Sequence, residues 1–107
     1  MIRIPTHREP THPGEMLLEE FLKPMGLTQT QLSKAVQVPY SKINDIINGK
    51  RDITPGIALR LAKFFGMSED FWLNLQLRWD LYKAKQKEKE ILQSIKPYHI
   101  LKKTVIS

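Results

Sequence analysis

Thr28-Gln29-Thr30-Gln31-Leu32-Ser33-Lys34-Ala35-Val36, then Gln37-Val38-Pro39, then Tyr40-Ser41-Lys42-Ile43-Asn44-Asp45-Ile46-Ile47-Asn48, is the stretch whose reading decides the fold. Thr28 is a good N-cap, because its hydroxyl accepts a bond from an otherwise orphaned backbone N–H. It opens a helix over 29–36 with Leu32 and Val36 facing inward. After a short turn a second helix runs over about 40–48, with Ile43, Ile46 and Ile47 on one face and polar residues on the other. Asn48-Gly49 stops it, since both residue types tolerate left-handed backbone.

Further helices are expected on both sides. Upstream, Pro13 suits a first helical position, where its missing N–H costs nothing. The helix it begins places Leu18, Phe21, Leu22 and Met25 on one face, with Glu15 and Glu19 on another. Pro24 disfavours helical geometry at Lys23, so this helix should end nearby. Downstream, Thr54-Pro55 opens a helix that buries Ile57, Ala58, Leu61, Ala62 and Phe65 and stops at Gly66. Ser68 is expected to cap a fifth helix, with Glu69 and Asp70 in its first turn. Its stripe is Phe71, Leu75, Trp79 and Tyr82. Beyond Tyr82 the chain becomes polar all round and rich in lysine, as suits a helix that projects into solvent or meets another chain. After Pro97 a β-branched tail is able to form one short strand, given a partner.

A chain of 107 residues suits one domain, and at this size folding buries roughly 60–68% of the extended surface. With 41% hydrophobic and 26% charged residues it reads as a globular, cytoplasmic protein, without the apolar run of a signal peptide or the roughly 20 apolar residues of a membrane span. There is no cysteine, which excludes disulfides, thiolate zinc sites and a thiol nucleophile. His7, His12 and His99 lack the spacing of a helical metal site, and no cofactor is expected. No nucleophile–base pair or Gly-rich phosphate loop recommends an enzyme. The net charge of +6 suits a nucleic-acid partner, which rewards Lys and Arg through counterion release. It suits an unspecialised basic surface as well.

The length and spacing of 28–48 fit a helix-turn-helix, whose second helix lies in the major groove, about 12 Å wide. Residues 27–66, from Leu27-Thr28-Gln29 through Ile46-Ile47-Asn48-Gly49-Lys50-Arg51 to Phe64-Phe65-Gly66, resemble the lambda-repressor-like (XRE) family. The flanks His12-Pro13-Gly14-Glu15 and Ser68-Glu69-Asp70-Phe71-Trp72-Leu73-Asn74-Leu75-Gln76 resemble HigA-type antitoxins, also called virulence-associated protein I. The resemblance spans residues 12–82 and implies an all-α fold, a compact five-helix domain. It further implies a homodimer that binds double-stranded operator DNA, represses its own operon and neutralises a cognate mRNA-cleaving, HigB-type toxin. The chain then divides into an N-terminal arm over 1–11, the helix-turn-helix domain over 12–82, and a lysine-rich helix extension and tail over 83–107.

The resemblance gives Gln29 a phosphate contact. Tyr40, Ser41, Lys42 and Asn44, exposed early in the reading helix, are expected at base edges, since asparagine pairs with adenine and lysine with guanine. Lys50 and Arg51 are expected to clamp the DNA backbone, with Lys34 a further candidate. Trp72 reads as core, whereas Trp79, Leu81 and Tyr82 read as a dimer interface, because four helices already close one core. Glu15, Glu19 and Glu20 form an acidic face that would suit a basic toxin.

Two positions depart from the family pattern. Gln37 stands where a glycine is usual, and a left-handed backbone there costs about 1–2 kcal/mol unless the turn is altered. Asp45 puts an anion on the reading helix, where it contacts cytosine, pairs with a neighbouring cation or points away from phosphate. Two other readings stay open: a free-standing regulator without a toxin, and an interaction module whose helix-turn-helix has lost DNA binding.

Overall fold

Pro13 starts the first helix as its position suggests, and His12 completes the start. The His12 Nδ1 accepts a hydrogen bond from Gly14 N at 2.9 Å, satisfying an N–H that the helix cannot. In this computed structural model, which describes residues 9–98, helix α1 comprises three consecutive segments: Pro13–Met16, Leu17–Leu22 and Lys23–Met25. The middle one is wound as a wider π-turn, with Lys23 N–H reaching back to Leu18 O. Proline lacks an N–H and crowds the carbonyl four residues earlier, and the wider turn leaves that ring room. Lys23 therefore stays helical and α1 continues through Pro24 to Met25.

The wide turn also resets which side chains point inward. Leu17 and Leu22, five residues apart, are fully buried; Leu18 and Phe21 pack at the core's edge. Met25, expected on the buried face, is 56% exposed. A helix read at 3.6 residues per turn does not anticipate that shift.

The remaining helices are α2 (Gln29–Val36), α3 (Tyr40–Ile47), α4 (Pro55–Phe65), α5 (Phe71–Lys87) and α6 (Lys89–Ser94). The regular structure among the described residues is thus entirely helical, with no strand. The expected tail strand, together with His7 and His99, lies outside them. Thr28 and Thr54 cap α2 and α4, the former in a reciprocal box in which Gln31 Oε1 accepts from Thr28 N at 2.8 Å. Ser68 does not cap α5. Its hydroxyl donates to the Asp70 carboxylate, residues 69 and 70 form a turn, and the helix begins at Phe71 behind Asp70. Helix α5 runs unbroken past Tyr82, so the lysine-rich segment begins as its continuation.

The core joins Leu17 and Leu22 of α1, Leu32 and Val36 of α2, Ile43 and Ile46 of α3, Ile57, Ala58, Leu61 and Ala62 of α4, and Trp72 of α5. Ile47, read as core with the other two isoleucines, is only half-buried. Trp72 is fully buried, as expected, with the Phe21 ring 5.0 Å away. Gln76 is the buried polar residue, at 5% exposure. Its Oε1 accepts from Ile53 N at 2.8 Å while its Nε2 donates to Asp52 and Asp80, so it ties the loop after α3 to α5.

One contact sets where α3 lies. The start of α1 meets the end of α3 so closely that an ideal Cβ on Gly14 would stand 1.8 Å from Ile46 O and 2.9 Å from the Ile47 Cα. Both obstacles are backbone, which cannot rotate aside. Gly14→Ala should therefore cost about 3 kcal/mol or more, at the upper end of overpacking effects, read as a lowered urea midpoint.

His12 makes the same joint sensitive to acid. Its ring packs edge-on against Trp79 with centroids 4.9 Å apart. Burial holds its pKa below the ordinary 6.5, against the opposing pull of Asp52, Glu15 and Asp80. Protonation would place a proton on Nδ1, the nitrogen that accepts from Gly14 N, and so abolish the cap of α1. Because the folded pKa is the lower one, His12's contribution is complete above pH 6.5 and is lost as pH falls through the folded value. Urea unfolding between pH 7.5 and 5 should show this loss, and His12→Asn, which keeps a capping oxygen without a titrating ring, should flatten the profile.

Candidate nucleic-acid interface

Helices α2 and α3 are joined by Gln37-Val38-Pro39, and the turn is unusual at its first residue. Gln37 has φ 57° and ψ 46°, the left-handed conformation, and it is the non-glycine residue with positive φ among those described. The glycine-like geometry is kept although the glycine is not. The first two carbonyls of the turn are covered by side chains. Ser33 Oγ donates to Val38 O at 2.6 Å, and Arg60 of α4 donates to Gln37 O at 2.5 Å. Val38 itself is buried and anchors the turn in the core.

Ile43 and Ile46 fix α3 from beneath, which leaves Tyr40, Ser41 and Lys42 exposed on its outer side. Tyr40 is 49% exposed and does not pack into the turn. Asn44 is placed differently from its neighbours. Its Nδ2 donates to Gln29 Oε1 at 3.0 Å, and its Oδ1 accepts from Asn48 Nδ2 at 3.1 Å. Two of the four hydrogen-bonding positions of its amide are thus taken within the protein. The relay runs Asn48 to Asn44 to Gln29 and leaves the Gln29 amide NH2 at its donor end. Gln29 sits at the first position of α2, where backbone N–H groups and the helix dipole favour an anion.

Asp45 adopts the second of its three expected arrangements, pairing with a cation: its carboxylate is 3.6 Å from the Arg51 guanidinium. Both side chains are well solvated, so the pair is weak and a phosphate can compete for the arginine. Lys42, Arg51 and Arg60 converge on a groove lined also by Val38, Pro39, Thr54, Gly56 and Ile57. Three cations beside the start of α4 make this groove strongly basic. Arg60 is the member that the sequence did not suggest. It lies on a helix outside the helix-turn-helix, and only the fold brings it to the turn. Lys50 is exposed after the stop of α3, and Lys34 is exposed on α2.

The three residues expected at a dimer interface do not share a face. Trp79 packs on His12 and carries the Lys83 ammonium 4.7 Å from its ring centroid, and Tyr82 lies beside it. Lys83 in turn lies 3.6 Å from the Glu9 carboxylate. Trp79 and Tyr82 therefore serve the chain's own N-terminal side. Leu81, two residues from Trp79 along a helix, points away and is 48% exposed together with Leu77 at 55%. Glu15, Glu19 and Glu20 are exposed as expected, with Glu19 paired to Lys23 at 2.7 Å. Among the described residues no group of three His, Cys, Asp or Glu side chains is placed to hold a metal ion, and no helix is long and apolar enough to cross a membrane.

Comparison with known proteins agrees with this geometry. Residues 18–72 match the helix-turn-helix family. Virulence-associated protein I of Dichelobacter nodosus is 49% identical over 80 residues, 75% of this chain and 74% of that protein. An addiction module antidote protein of the HigA family from Coxiella burnetii superposes with a TM-score of 0.79 at 43% identity, over 85% of this chain and 100% of that one. The Pseudomonas aeruginosa antitoxin HigA, solved with the higBA promoter, gives 0.79 at 37% identity over 83% of this chain and 98% of its own. With its reading helix, capped turn and both flanks accounted for, the chain belongs to the XRE-type helix-turn-helix family, in the group of HigA antitoxins and virulence-associated protein I.

Proposed function

We propose that this protein is a non-enzymatic, autoregulatory antitoxin of the bacterial cytoplasm that binds double-stranded operator DNA and neutralises a HigB-type ribonuclease. The observation that carries the reading is α3: two isoleucines hold it from below while Tyr40, Ser41 and Lys42 stand free on its outer side. The HigA relative bound to its promoter supports the same use of this fold. In this reading Tyr40, Ser41 and Lys42 meet base edges in the major groove. Gln29, Lys50 and Arg51 hold phosphates, with Asp45 releasing Arg51 as the phosphate arrives. Asn44 acts through Gln29, whose amide it orients, more than at a base.

These roles separate in a binding assay on duplex from the region upstream of the protein's own gene. Lys42→Ala should relax sequence preference and cost about 1–3 kcal/mol at the preferred site. Lys50→Ala should weaken all duplexes alike and lower the salt slope by about 1. Asn44→Ala should behave like a lost phosphate contact, lowering specific and non-specific affinity together. No binding to any upstream duplex, with the fold intact, would leave the protein-interaction reading instead.

A dimer would place two reading helices one turn of DNA apart, about 34 Å. The surface that favours one is the exposed apolar face of α5, not the aromatic pair. Leu77 and Leu81, four residues apart on one face of α5, are both exposed. A second copy of this chain is the proposed cover, as a repressor reading two half-sites requires. Leu77→Asp with Leu81→Asp should yield a folded monomer by sedimentation equilibrium, with operator affinity lowered at least tenfold. An unchanged dimer would move the interface elsewhere.

A further inference from the structure

The left-handed Gln37 poses a question that the DNA-reading surface does not answer: what keeps a strained turn in one conformation. The turn decides how α3 sits on α2, so a few degrees of play at Gln37 would swing Tyr40 and Lys42 relative to a groove. We infer that Arg60 is a positioning residue for DNA reading, its guanidinium holding the Gln37 carbonyl and so locking the helix-turn-helix against α4.

Four observations carry this. Gln37 has φ 57°, where a residue with a Cβ is strained and has an easier alternative backbone to fall back on. Its carbonyl accepts from Arg60 Nη1 at 2.5 Å, a charge-assisted bond across 23 residues of sequence. The neighbouring Val38 carbonyl is held separately by Ser33, so each of the two turn carbonyls has its own side-chain donor, one from α2 and one from α4. Helix α4 is itself fixed, with Ile57, Ala58, Leu61 and Ala62 all in the core, so Arg60 extends from a rigid base. A cation at the C-terminal end of α2 also suits its dipole. Arginine is suited to the task because a planar fork reaches a fixed carbonyl with a defined direction, which a lysine ammonium does not.

The inference rests on the DNA-binding reading, and it makes a different claim from a phosphate contact. Arg60 also lines the groove with Lys42 and Arg51, so the alternative is that it simply holds a phosphate. The two separate on salt dependence and on coupling to Gln37. A positioning residue leaves the number of released counterions unchanged, whereas a phosphate contact removes about one unit of slope when deleted. A positioning residue that restrains a strained turn also matters less once the strain is gone.

The experiment measures binding of Arg60→Ala, Gln37→Gly and the double variant to upstream duplex and to a random duplex of equal length, over a salt series. Expected is a roughly tenfold fall in the specific-to-random affinity ratio for Arg60→Ala, an unchanged salt slope, and a fall of no more than about threefold when the same change is made in the Gln37→Gly background. General loss of fold would lower both affinities and leave their ratio alone. Amide exchange at Val38 N, bonded to Ser33 O at 3.1 Å, supplies a readout without DNA: it should accelerate in Arg60→Ala and accelerate less in the double variant. If Arg60→Ala fails to fold, Arg60→Met, which keeps the aliphatic stem but neither charge nor fork, takes its place with the same expectations. A slope reduced by about one, equal losses in both backgrounds, or Val38 exchange unchanged by removing the guanidinium would each overturn the inference. Failure of the unmodified protein to bind upstream duplex counts against the DNA reading alone, and the exchange result then decides the tether by itself.

Discussion

The close approach of Gly14 to the Ile46 carbonyl is the constraint on which the other features of this domain depend. A helix whose outer face must stay polar cannot be surrounded by core, so α3 is held from beneath and at its ends. The underside is supplied by Ile43 and Ile46, and the far end by the start of α1. Steric contact of backbone on backbone has no rotamer to relax into, which makes it a stiffer stop than a side-chain contact. His12 adds to that stop. It caps α1, meets the Trp79 ring, and lies against the turn at Gly49 where α3 ends, so three elements are tied through one imidazole.

The near end of α3 is managed by polar contacts. Between α2 and α3 the chain adopts a conformation that glycine would enter at lower cost, and two donors from different helices meet the carbonyls it leaves behind. A further polar group, Gln76, takes the buried N–H of Ile53 on the exit from α3. Such buried amides are satisfied because an unpaired one would cost about 1–3 kcal/mol. Polar groups fix the near end of the reading helix and the loop beyond it, backbone contact stops its far end, and apolar side chains fix its depth.

Much of this was legible in the residues. Thr28 and Thr54 announced their helices because a capping hydroxyl is a local event, decided within three residues. The isoleucine face of α3 followed from periodicity, and the polar face from its complement. What escaped was whatever depends on contact across the fold or on a departure from ideal winding. Met25 was placed inward by a period that the π-turn in α1 breaks. Ser68 had the chemistry of a cap, but its hydroxyl is taken by Asp70 two residues on. Trp79, Leu81 and Tyr82 read together as an interface because four helices already close one core, yet Leu81 points to the opposite side of the helix from Trp79, and the nearby His12 claims Trp79. Asn44 has the right chemistry for adenine, and nothing local betrays that Gln29, fifteen positions earlier, holds its amide. Arg60 carried no signal in its own helix beyond being an exposed cation.

DNA reading by this protein depends on α3 lying in a major groove with its outer residues against base edges. Methylation interference at guanine N7, the atom a reading helix meets there, tests that most directly on duplex from the protein's own upstream region. Two short clusters of interfering guanines are expected on one face of the DNA, centred one helical turn apart. Interference confined to minor-groove positions, or none within a protected site, would contradict it.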